Sequence, residues 1–283
     1  AHDRIVEMLY SLIPEEERRR THYSIGNLIL GRTADDMLDD SIITIVSQLN
    51  AGLTCVVTDE ERYRIAKLNL AAAKKAMSSA AYQSAHMYLK TASGIVGSDC
   101  WKRDYDFALS LYTKGAQAAF LVTDFSYMDS LAKMVIANAR DILDTTVIHE
   151  LIIQMHYAQN HLREGLREGF QVLKMLGMPL PENPTKLHIV AALIKTRLML
   201  RGKRIEDLRN MKDMDDRKML ASVYIFNYLG VAIYKTNPRI LQSLLFKAIE
   251  VSLRHGNAPE TAMSFAGYAM ILCGALGDID LSL

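Results

Sequence analysis

His149, His156 and His161 stand close together on one predicted helical hairpin, and they are the first place to look for chemistry. The segment HELIIQMH opens like a zinc-protease helix, in which two histidines four residues apart hold the metal. Ile153 occupies the position that the second histidine would need. His149 and His156 are seven apart and fall on one helix face, yet no carboxylate or cysteine completes a set at metal-ligand spacing. They are expected to be packing or surface histidines, with no metal site. Cys55, Cys100 and Cys273 are scattered and odd in number, contain no CxxC, and read as reduced thiols. Nothing in their spacing marks a Cys–His nucleophile. A phosphate-cradling loop needs convergent glycines and a lysine. SGIVGSDC has two glycines and no lysine beside them, so it reads as a turn. The sequence therefore identifies no catalytic residue, no cofactor site and no metal site, and the chain is expected not to be an enzyme in itself.

The elements that carry these side chains are read from composition and periodicity. Half of the 283 residues are apolar and only six are proline. The rest is a helix-forming mixture of Ala, Leu, Ile and Met with Lys, Arg and Glu. Net charge is +1, from 33 basic and 32 acidic residues, which gives no electrostatic case for nucleic acid or an anionic membrane. No apolar run reaches the roughly 18 residues that span a bilayer, and the start lacks a signal-peptide layout. A cytoplasmic location is expected. The 15 methionines and the tyrosines fall at helical spacing and read as core filler rather than as a binding groove.

Helical signals run almost end to end. Pro14 suits a first helical position, followed by Glu15–Arg19 and Glu16–Arg20 at favourable i,i+4 spacing on a solvated face. Thr58 and Glu61 form a capping-box pattern ahead of a long helix to about Met77. Its antiparallel partner, SSAAYQSAHMYLKTASGIVG, stops at Gly94 to Gly97. Two further pairs follow, each with a turn too short for anything but antiparallel neighbours. Their second helices align on Ala85, Met128 and Gly165, with Leu89, Ala132 and Gly169 one turn on. That is an irregular period of roughly 40 residues, tetratricopeptide-like without the strict 34-residue pattern.

GMPLPENPTKLH then breaks the rhythm with prolines, and a helix follows to Leu200. RGKRIEDLRNMKDMDD is a polar elbow that Ile205 and Leu208 are expected to anchor. NPRILQSLLFKAIEVSLRHGN has an Asn237 cap, Pro238 at the first position, a broad apolar stripe and a Gly256 stop. Pro259 restarts a helix to about Leu276, and Gly277–Asp278 resembles a turn into a partner helix. The amphipathic pattern is present from the sixth residue, no Met precedes Ala1, and the last repeat looks cut. A longer parent chain is expected, with self-association through the C-terminal end. The fold class is all-α: tetratricopeptide-like antiparallel helix pairs forming an α-solenoid of about twelve helices. The divisions read are 1–52, connecting helices; 53–178, helix pairs; and 179–283, a second helical half.

The opening HDRIVEMLYSLIPEEERRRTHYSIGNLIL resembles a segment of large multi-domain bacterial signalling proteins. Those proteins combine a STAND-type ATPase with serine/threonine-kinase-like, GAF and histidine-kinase domains. LNLAAAKKAMSSAAYQSAHMYL, LKMLGMPLPENPT, RGKRIEDL and HGNAPETAMSFAGYAMIL resemble successive parts of the same region, in order. The resemblance implies that residues 1–52 include the end of the winged-helix part. It also implies that His2 and Asp3 match a pair lying near the bound nucleotide, a nucleotide-sensing remnant. No phosphate loop or Mg²⁺-binding acid accompanies them, so no nucleotide binding is expected. The role implied is a non-catalytic regulatory region that binds a protein partner or other domains of its parent and relays the event to ATPase and output domains. The alternative is a free-standing tetratricopeptide-type adaptor that clamps a peptide in its concave groove.

Overall fold

The computed structural model describes residues 8, 10–97 and 99–276. His2 and Asp3 lie outside the described residues, as does Gly277–Leu283. Contacts divide the chain into two compact units, Ala1–Asn138 and Ala139–Leu283. Among the described residues there are twelve helices of eleven or more residues and no strand, only an isolated bridge between Asp213 and Asn257. The all-α class and the helix number therefore stand as read from the sequence.

The first unit holds α1 (Glu15–Arg32), α2 (Leu38–Ala51), α3 (Asp59–Ser78), α4 (Tyr82–Ile95), α5 (Tyr105–Leu121) and α6 (Phe125–Asn138). Each packs on its chain neighbour. Small buried side chains let α3, α4 and α5 approach closely: Ala66, Ala73, Ala76, Ala85, Ala92 and Ala118 share one core with Leu89, Phe107 and Leu111. A methyl at Gly26 or Gly115 would press into Leu49 or Leu131 respectively. Buried Asn69 is satisfied by a reciprocal amide pair with Asn50, at 2.8 and 2.9 Å, and by the Ile65 carbonyl. Thr58 caps α3 by accepting the Glu61 N–H at 3.3 Å. The reciprocal half of the expected capping box is not made, because the Glu61 carboxylate takes the Tyr23 hydroxyl instead. Pro14 precedes α1 at its cap rather than opening it, and the Glu15–Arg19 and Glu16–Arg20 ion pairs form on the exposed face.

The second unit holds α7 (Ile142–Ala158), α8 (Leu162–Met175), α9 (Lys186–Leu200), α10 (Arg217–Thr236), α11 (Pro238–His255) and α12 (Thr261–Ile271). The helix α10 packs on α7, α8 and α11; α11 also packs on α9 and α12. Its main core gathers Ile153, Leu173, Phe226, Leu229 and Leu244, together with Leu180 from the proline-rich connection. Gly169 faces Leu229, where a methyl would collide. Asn237 caps α11 by accepting the Arg239 N–H at 3.1 Å, with Pro238 at the first position. The last helix starts two residues beyond Pro259 and ends in a π-helical turn, Leu272–Leu276.

One local device recurs. Each of the turns α3–α4, α5–α6 and α7–α8 contains a left-handed residue, at Ala80, Thr123 and Asn160 with φ of 56°, 62° and 61°. In each, the following N–H closes onto a carbonyl five residues back: Ala81 to Ala76 (2.8 Å), Asp124 to Ala119 (2.9 Å), His161 to His156 (2.7 Å). This is the Schellman closure, which satisfies orphan carbonyls at a helix end. The three positions are spaced 43 and then 37 residues apart, the same irregular spacing that aligns Ala85, Met128 and Gly165. Those three and Leu89, Ala132 and Gly169 are all buried, so the repeat register holds.

Candidate functional site: an apolar groove with a basic rim

Of the three histidines, His149 is packed in the interior, His156 is partly buried and His161 is exposed. His149 is buried and its Nδ1 lies 2.6 Å from Glu168 Oε1 across the α7–α8 pair. His156 and His161 face each other across the same turn, ring centres 6.3 Å apart. Among the described residues no three of His, Cys, Asp and Glu converge to hold a metal ion. Cys100 is buried beside the Tyr112 hydroxyl, and burial pushes its thiol pKa up, away from the reactive thiolate. In SGIVGSDC, Ser93–Ile95 close α4, Val96 and Gly97 follow it, and Cys100 opens a short helix, Cys100–Arg103.

An open apolar groove lies in the second unit. Apolar residues surround α9 on all sides. One face, with Ile189, Ala192 and Leu193, packs against Phe246, Ile249, Tyr268 and Leu272. The other exposes Leu187, Val190, Ile194 and Leu198, which are 81%, 50%, 54% and 64% accessible. Their spacing of three, four and four residues draws one stripe along three turns of helix. Beyond Leu200 the chain turns at Gly202 (φ 75°) into a short helical turn, Ile205–Arg209, whose Asp207 accepts the Arg204 N–H at 2.9 Å. Together α9, this turn and α12 enclose an open groove of about 1120 Å³. Phe265, Tyr268 and Ala269 supply its apolar surface from the α12 side.

Ile205 does not anchor the elbow as expected, being largely exposed. Asn257 does so instead. Its side chain donates to the Leu208 carbonyl at 2.6 Å and accepts the Ser252 hydroxyl at 2.8 Å. Its backbone N–H donates to Lys212 O at 2.8 Å, and its carbonyl accepts Met214 N–H at 2.7 Å. This places Gly256 at φ 108°, where a Cβ would strike the Lys212 carbonyl. The sequence signal was the dipeptide after α11, of which only the glycine stop was read. The groove itself escaped sequence reasoning because its walls come from segments some 60 residues apart.

Charge is unevenly placed around this groove. Among the described residues, its lining carries Arg197, Arg201, Lys203 and Arg209 against one carboxylate, Asp213. Among the described residues no acidic group pairs with Arg201, Lys203 or Arg209. Nearby, Glu250 draws Lys195 (2.8 Å), Arg254 (3.1 Å) and Lys247 (3.7 Å). Burial alone would raise its pKa, but the Lys195 hydrogen bond and the surrounding cations outweigh that and hold it below the ordinary glutamate value. The groove lining contains no histidine or cysteine. Such a surface can bind by apolar burial and charge.

No protein-family model and no solved structure matches this chain. Over 96% of its length it is 21% identical to hybrid signal transduction histidine kinase G of Dictyostelium discoideum, and it spans 9% of that protein. The chain is thus distantly similar to a signal-transduction histidine kinase along nearly all of its length. No helix among the described residues is long and apolar enough to cross a membrane.

Proposed function

We propose that this chain is a non-catalytic, helical-repeat protein-binding region of a larger cytoplasmic signal-transduction protein, one that joins a STAND-type ATPase to kinase-type output. The observation that carries the proposal is the groove: Ile194 and Leu198 of the exposed stripe, a recessed aromatic floor and a basic rim, on a scaffold of paired helices. The similarity to a hybrid histidine kinase supports the signalling context, and the order of the resembling segments supports the ATPase context. A partner seated in the groove acts by preferring one packing of the helices over another, because binding shifts an equilibrium only by its differential affinity for the two states.

Two measurements test this. Calorimetric titration of the purified chain with Mg²⁺·ATP is expected to give no more heat than a nonspecific protein, since a triphosphate needs convergent N–H groups, a lysine and a metal. A photo-crosslinker at Leu198 of the intact gene product is expected to capture a protein in cells, while one at exposed Val57 of the first unit captures none above background. Micromolar, Mg²⁺-dependent ATP binding by the chain, or equal capture at both positions, would contradict the proposal.

A further inference from the structure

We infer that an acidic amphipathic helix of about three turns, supplied by a protein partner, lies along this groove and the exposed edge of α9 that continues out of it through Val190 and Leu187. The inference rests on the protein-binding reading above and specifies its partner. Leu187, Val190, Ile194 and Leu198 span eleven residue steps, which at 1.5 Å per residue is about 16 Å of continuous apolar edge. A partner helix laid against that edge meets it with apolar residues at the same three- and four-residue spacing. The cations sit at one end of the edge, just past Leu198, on Arg201, Lys203 and Arg209. The partner's carboxylates therefore cluster at one end of its helix.

Charge also decides against two other occupants. A second copy docked face to face by a two-fold axis sets Arg201, Lys203 and Arg209 against their own copies, none of them paired with a carboxylate among the described residues. An anionic bilayer would satisfy the cations, but its surface is flat. Phe265 is half-buried on the groove's α12 side, where a narrow rod reaches and a plane does not.

The test is a selection of displayed 18-residue helical peptides against the full chain. Binders are expected to carry net negative charge concentrated at one end, with apolar residues at helical three- and four-residue spacing. Their affinity, read by fluorescence anisotropy, is expected to fall about ten-fold or more in the double variant Arg201→Glu/Lys203→Glu, and to fall with added salt. Leu198→Lys is expected to abolish binding, and because these side chains are exposed, all three substitutions should leave the helical melting curve unchanged. Neutral or basic binders, or no binder at all, overturn the inference. So do binding to phosphatidylglycerol vesicles in place of peptide, and sedimentation of the chain as a dimer that Leu198→Lys dissociates. The two readings fail separately. Crosslinking at Leu198 to a partner with no acidic helix removes the acidic occupant and keeps the interaction region. Acidic-peptide binding without any crosslink in cells keeps the groove chemistry and removes the signalling role.

Discussion

Asn257 uses every polar group it has to hold the elbow against the end of α11, so the groove's geometry depends on one side chain. Asn257→Ala leaves the Leu208 carbonyl and the Ser252 hydroxyl without their partner. It is expected to lower stability by about 1–3 kcal/mol in chemical denaturation, the cost typical of orphaned buried polar groups. Glu150 makes a second residue-scale prediction. It lies beside Leu143, Leu220 and Tyr228 in the second unit, and burial raises its pKa to about 7 from 4.5. A carboxyl with a raised folded pKa binds more protons folded than unfolded between those values. Stability is therefore full below pH 4.5 and falls as pH rises to about 7, after which this contribution is flat. Glu150→Gln is expected to remove that slope and to gain about 1–2 kcal/mol at pH 8, discounted for the carboxyl's partial contact with water. Denaturation midpoints at pH 5 and pH 8 for both proteins decide it: parallel loss in the variant would assign the slope elsewhere.

Among the elements, the recurring turns set how each helix pair is joined. All three adopt the left-handed conformation, and only the third uses a residue suited to it, Asn160. Thr123 is exposed and β-branched at φ 62°, where its Cβ is crowded. Thr123→Gly is expected to stabilise by about 0.5–1 kcal/mol, the relief of strain exceeding the added freedom of the unfolded chain. An unchanged or lower melting temperature would mean that this turn is relaxed as it stands. Much of this level was legible in the sequence. Caps and stops at Thr58, Asn237, Pro238 and Gly256 are short-range signals, and the small residues of the second helices carry their spacing openly. What was not legible depended on distant partners. Glu61 turns to Tyr23, 38 residues away, and Asn257 reaches Leu208, 49 residues away. The exposed stripe on α9 was invisible as such, because an all-round apolar helix looks like core until its neighbours are placed.

On the scale of the whole molecule, near-neutral net charge hides a local excess of cations among the described residues that line one groove, and that imbalance, not the overall composition, supports the partner proposed above. The most direct test puts Leu198→Lys, and separately Arg201→Glu/Lys203→Glu, into the intact gene product in its own cells. Protein abundance and stimulus-dependent phosphorylation by the proposed kinase-type output are then measured. Unchanged abundance with loss of the stimulated response in both variants is the predicted result, with Val57→Lys in the first unit behaving as wild type. A full stimulated response in the two groove variants would contradict the claim that this region works by binding a partner there.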